Sequence, residues 1–164
     1  MTTRRVTREP RTVIAPDDER LAVWERFLRS HSMIIRQLER DLVEKENLSL
    51  AEYDVLAHLR HPPHRMRMTE LAAAVLVTTG GITKLLDRMT AAGLVARERH
   101  PRDRRVVYAV LTDAGWQTLR RASATHLAGV QQHFASELCD DELDPVGSFL
   151  GRLVDRWTLP PRES

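Results

Sequence analysis

"MTELAAAVLVTTGGITKLLDRMTAAGLV", residues Met68–Val95, decides the fold. Thr69 is placed to cap a short helix over Leu71, Ala72 and Val75. After a turn, Thr79 is placed to cap a second helix. Ile82, Leu85, Leu86 and Met89 give that helix one apolar face, and Gly93 stops it as a left-handed cap. Two short helices, a tight turn and small Ala72 at the crossing form the helix-turn-helix pattern. Directly afterwards comes "RERHPRDRRVVYAVLT", Arg97–Thr112, which is rich in arginine and then alternates. Leu94–Arg99 and Val106–Leu111 therefore read as two strands joined by a tip, His100–Arg105. Standing alone, such a charged stretch is equally well a solvated loop. Hung on a helix-turn-helix, it predicts a wing.

The flanks are helical. Asp17 and Asp18 open a segment in which Leu21, Trp24, Leu28, His31, Ile35, Leu38 and Leu42 recur at steps of three and four, widened by Phe27 and Ile34. This predicts one long helix with an apolar stripe. The stripe is too long for a small core to cover, so part of it is expected to meet another chain. Ser49–Glu52 has capping-box spacing and starts a helix through Leu56 and Leu59, which Pro62 and Pro63 end. Thr112 and Asp113 begin a fifth helix to about Leu138, with Leu119, Ala122, His126, Val130 and Phe134 on its inner side. Asp140 and Asp141 mark a break. Leu143, Val146, Phe149, Leu150, Leu153 and Trp157 form a sixth helix, mildly interrupted by Pro145.

The expected fold class is mainly α with a small β-hairpin wing. A disordered basic tail covers residues 1–16. A helical dimerisation lobe combines residues 17–47 and 113–158, and a winged helix-turn-helix occupies 48–112. The long stripe and the sixth helix predict a homodimer.

Composition narrows the function. The chain has 164 residues, 42% of them hydrophobic, a formal net charge of +2 and one cysteine. No stretch is long and apolar enough to span a membrane. The start, MTTRRVTREPR, has no apolar run of the secretory kind, so a cytoplasmic protein is expected. Charge is uneven: Arg60–Tyr108 holds ten Lys/Arg against four Asp/Glu, and the remainder holds 15 against 19. A basic middle third on a neutral to acidic body suits a nucleic-acid reader. No Ser-His-Asp set, phosphate loop or paired carboxylates point to an enzyme, and no cofactor is implied.

The outward residues of the second helix, Thr78, Thr79, Thr83, Lys84, Asp87 and Arg88, are the candidates for major-groove contact. Lys84 and Arg88 suit phosphates, which give affinity without sequence information. The bland alternative is a solvated amphipathic face. Arg102, Arg104 and Arg105 on the tip suit the minor groove, and Asp103 among them suits orienting a guanidinium. His58, His61 and His64 are too disrupted by Pro62 and Pro63 to favour a metal site. Cys139, the alternative redox sensor, reads better as a small hydrophobe at a helix end.

Together "MTELA", "GGITKLLDRMTAAGLVARE", "DRR" and "VVYAVLTDAG" resemble the MarR family of bacterial transcription regulators, over roughly Leu48–Gly115. The resemblance implies a homodimeric regulator of pseudo-palindromic double-stranded DNA, and makes Asp103 and Arg105 the wing's D-x-R, with Arg105 in the minor groove. It also implies a repressor released by a small aromatic or phenolic anion. Trp24, His31, Arg36, Tyr53, Asp54 and His58 are the candidates for holding such an effector, although Trp24 and His31 suit core or dimer packing and Arg36 a solvated charge. Gly80 and Gly81 depart from the family, where side chains usually stand; they remove possible base contacts and loosen the first turn. The alternatives are a winged-helix adaptor without DNA, which would have no need of so many wing arginines, and a metal- or redox-sensing regulator.

Overall fold

The computed structural model describes residues 15, 18–75, 79–103 and 106–158. Apart from Ala15, the expected basic tail lies outside the described residues, as do Asp17, Thr78, Arg104 and Arg105. The chain divides into two compact units, residues 1–36 and 37–164. Its elements are α1 (Glu19–Glu46), α2 (Leu50–Leu59), β1 (Arg65–Arg67), α3 (Met68–Ala74), α4 (Thr79–Ala91), β2 (Val95–Arg99), β3 (Val107–Leu111), α5 (Asp113–His133) and α6 (Leu143–Thr158), with two 3-10 turns between α5 and α6.

In the first unit, Asp18 Oδ1 accepts the Arg20 N–H at 2.9 Å and caps the start of α1. Along that part of the helix, Trp24 stacks on Phe27 and Phe27 on His31, with centroids 6.0 and 6.2 Å apart. Val23, Trp24, Phe27, Leu28, Met33 and Ile35 are exposed. The apolar stripe exists, and a single chain leaves most of this end of it uncovered.

The second unit holds the core. Leu42, Val55, Leu56, Leu59, Leu71, Ile82, Leu86, Met89 and Val95 are almost fully buried. The Ser49 capping box forms as expected: Ser49 Oγ accepts from Glu52 N–H, and Glu52 Oε2 accepts from Ser49 N–H at 2.9 Å. Helix α4 ends in a Schellman motif. Gly93 takes a φ of 71°, Leu94 N–H donates to Met89 O at 2.9 Å, and Gly93 N–H donates to Thr90 O at 3.0 Å. The strands make an antiparallel sheet ordered β1-β3-β2, with Met66 opposite Ala109 and Arg97 opposite Ala109 on the other side.

Several local expectations are corrected. Thr69 lies inside α3; the position before the helix is Arg67, whose N–H donates to Glu70 Oε2 at 3.0 Å. Thr79 is the first helical residue of α4, so it does not occupy the cap position. Strand β1 has the sequence Arg-Met-Arg, without the branched or aromatic residues that mark strands, and forms because β3 offers it an open edge. Helix α5 stops at His133, and Phe134 leaves the helix and is 41% exposed instead of facing inward.

Thr112 joins the end of α4 to the start of α5. Its Oγ1 donates to Gly93 O at 2.6 Å, and its N–H donates to Leu94 O at 3.2 Å. The same Oγ1 accepts the Gly115 N–H at 3.0 Å, capping α5. Gly115 is required there, because an added Cβ would overlap the Leu94 carbonyl oxygen.

Candidate nucleic-acid interface

Helix α4 buries Ile82, Leu85, Leu86 and Met89 and turns Thr83, Lys84, Asp87 and Arg88 to solvent. For the described side chains, the inward and outward sets are those the periodicity assigns. Lys84 makes no ion pair with any described residue. Arg88 is committed: its Nε lies 3.7 Å from Glu52 Oε1, beside the capping box of α2. A cation expected on phosphate thus also ties α4 to α2. Gly80 is exposed, and a Cβ there would meet nothing among the described residues.

Asp87 pairs with Arg97, the third residue of β2, at 2.7 Å. The same guanidinium donates to Thr83 O at 3.4 Å. The first arginine of the charged hairpin therefore fastens the hairpin to the outward face of α4. Sequence reading placed both residues outside the core without joining them. The signal available was a lone carboxylate within a basic face, where it weakens anion binding unless it orients a guanidinium.

Beyond β2 the hairpin closes through His100 N–H to Val106 O at 3.0 Å and Val106 N–H to Asp103 O at 3.0 Å. Arg99 and Arg102 are exposed and make no ion pair with a described residue. Asp103 is exposed at the tip. At the base, the Arg65 guanidinium sits over the Tyr108 ring, 4.8 Å from its centroid.

The candidate effector residues fall into two groups. Trp24, His31 and Arg36 are exposed on α1, and Arg36 Nε donates back to Ser32 O of its own helix at 3.2 Å. Tyr53, Asp54 and His58 lie on α2 in the second unit. There the Tyr53 ring stacks on His126 of α5 with centroids 4.4 Å apart. Burial raises the Asp54 carboxyl above its ordinary range, against the opposing pull of His58 and His126. Burial likewise lowers His126, opposed by Asp54. His126 Nδ1 is buried without a hydrogen-bond partner. Its role was missed because it stands far along the chain from Tyr53 and Asp54. Of the other histidines considered for metal, His64 packs edge-on against Trp116 with centroids 5.6 Å apart. Cys139 is exposed rather than apolar packing, and its N–H donates to Glu142 Oε2 at 3.0 Å.

Residues 46–106 match the model of the MarR family. An HTH-type transcriptional regulator of Bacillus cereus is 31% identical over 122 residues, covering 74% of this chain and 76% of the relative. Among solved structures, AbsC of Streptomyces coelicolor, a MarR family transcriptional regulator, is 32% identical with a TM-score of 0.79 over 88% of this chain and 97% of its own. Sco3205 of the same organism, solved in complex with DNA, is 28% identical with a TM-score of 0.82 over 95% and 96%. The fold, the hairpin and the similarity agree: the chain belongs to the MarR family of transcriptional regulators.

Proposed function

We propose that the protein is a homodimeric, sequence-specific repressor whose α4 enters the major groove of a pseudo-palindromic operator while the wing tip enters the adjacent minor groove. The observation that carries this reading is the Asp87–Arg97 pair, which makes the outward face of α4 and the hairpin one surface. In this reading Thr78, Thr79, Thr83 and Lys84 act from the helix side, and Arg102, Asp103, Arg104 and Arg105 from the tip. Arg88 adds a phosphate contact in reach of its Glu52 tie. The DNA complex of Sco3205 supports the same use of the same fold.

The uncovered apolar face of α1, with Phe149, Leu153 and Val154 exposed on α6, is assigned to the second copy. Release by a small aromatic or phenolic anion is the finer part of the proposal. Its support is the resemblance and the α2–α5 cluster, where Tyr53 and His126 offer a stacked aromatic face and the unpartnered Nδ1 a polar atom. His58 supplies a further polar group beside Asp54.

The test is to pass fragmented genomic DNA over the purified protein and sequence what is retained. An enriched inverted repeat is expected, and Arg105→Ala should weaken binding to it by about 1–3 kcal/mol, roughly fivefold to 150-fold. Retention without sequence enrichment would refute specific recognition. A screen of aromatic carboxylates and phenols that shifts neither melting temperature nor operator affinity would refute the effector half.

A further inference from the structure

The tip of the wing is organised by a histidine side chain. His100, Pro101, Arg102 and Asp103 form the turn that leaves β2. Arg102 N–H donates to His100 Nδ1 at 3.2 Å, and Asp103 N–H donates to the same atom at 3.1 Å. An imidazole nitrogen that accepts two N–H groups carries no proton, so the ring proton sits on Nε2. Position i of a proline-containing turn is where Asn, Asp and Ser fold their side chains back onto the following N–H groups. His100 occupies that position, and its Nδ1 is as many bonds from the backbone as the Oδ1 of asparagine. Pro101 has no N–H to compete for the acceptor.

The ring is also held from below. It leans on Tyr108 of β3, centroids 6.2 Å apart and tilted 44°, and the other end of that contact is the Arg65 guanidinium of β1 over the Tyr108 ring. Arg65, Tyr108 and His100 thus run from the outer strand of the sheet to the tip.

We propose that His100 is a positioning residue for DNA recognition: as a neutral double acceptor braced on Tyr108, it presets the turn that carries Arg102 and Asp103 to the groove. In this role it makes no contact with DNA and supplies no charge. Without it the tip samples other conformations, and affinity falls by the fraction of time the competent one is lost. The proposal rests on the DNA-binding reading for its functional consequence; the side-chain cap itself is independent of that reading.

The experiment compares the full-length wild type with His100→Ala and His100→Asn. Amide exchange at Arg102 and Asp103 is followed by NMR in the free protein, and affinity is measured for the fragment the wild type retains. Loss of the acceptor in His100→Ala should speed both amides severalfold and weaken DNA binding by about fivefold to tenfold, the effect of one or two hydrogen bonds. His100→Asn should restore both, and melting temperatures should match throughout. Equal behaviour of wild type and His100→Ala would overturn the proposal. So would an Asn variant as defective as the Ala variant, or a melting-temperature loss that accounts for the weaker binding. If the wild type retains no DNA, the DNA reading fails, while the amide measurement still decides whether His100 caps the tip.

Discussion

Replacing Gly115 by alanine tests whether the end of the recognition helix and the start of α5 are one rigid joint. The new methyl would overlap the Leu94 carbonyl oxygen and stand 3.1 Å from its carbon and 3.3 Å from Leu111 Cδ2. The carbonyl cannot turn away freely, because it accepts from Thr112 N–H at 3.2 Å. Forcing a methylene into a packed site costs about 1–3 kcal/mol. Stretching the Thr112 N–H bond adds up to about 1 kcal/mol. Alanine returns at most about 1 kcal/mol of helix propensity. The expected net loss is about 1–3 kcal/mol, or a fall of roughly 3–10 °C in melting temperature for a chain of this size. Urea titrations at neutral pH, with an unchanged slope, would measure it. Operator affinity should fall as well in protein that is still folded, since Leu94 follows the α4 cap by one residue. A loss below about 0.5 kcal/mol would refute the reasoning, because the backbone would then be soft where the bonds make it rigid.

Lys84→Ala should weaken operator binding and lower the slope of log affinity against log salt by about one; an unchanged slope would remove Lys84 from the phosphate contacts. A double-mutant cycle of Asp87→Ala and Arg97→Ala should give a stability coupling of no more than about 1 kcal/mol, as for other surface pairs, while operator affinity should show the larger coupling. Equal affinity in all four proteins would mean that the pair does not align helix and wing. His126 is lowered by burial, so the unfolded chain takes up its proton first and acid favours unfolding. Stability of the wild type should therefore fall as pH drops through the ordinary histidine range, and His126→Phe, which keeps the ring stack, should flatten that fall; an identical pH profile would contradict it. Light scattering at micromolar concentration should give about twice the 18.8 kDa chain mass; a species of single-chain mass would contradict dimerisation.

Much of the architecture was legible because the helices announce themselves by period and, at three ends, by cap. Ser49 with Glu52, Thr112 and Gly93 do in the structure what their spacing predicts. The outward face of α4 followed from the inward one. Long-range pairing was not legible. Asp87 and Arg97 sit on different elements, and only the geometry of the turn at Gly93 brings them to 2.7 Å. The same holds for Arg88 with Glu52, and for His126 with Tyr53. Strand β1 escaped notice because its two arginines point outward and only Met66 between them packs inward. Phe134 was assigned inward by extending the helical period past His133, where the helix had already stopped.

These ties change what the basic patch does. Phosphate contacts supply affinity that is nearly blind to sequence, so a surface of free arginines would hold any duplex. Here Arg97 is held by Asp87 at 2.7 Å, so one guanidinium of the patch sets the hairpin against α4 rather than standing free. Gly80 contributes in another way. Nothing among the described residues requires a glycine there, since a side chain would meet none of them. Its absence leaves the first turn of α4 with bare backbone on the side that faces outward, where a nucleic-acid backbone can approach closely. In the proposed complex, base discrimination would then fall to few side chains, Thr83 among them. Specificity in such a surface depends less on the number of contacts than on the accuracy with which helix and hairpin are set against each other, which is what the Asp87–Arg97 pair and the Thr112 joint provide.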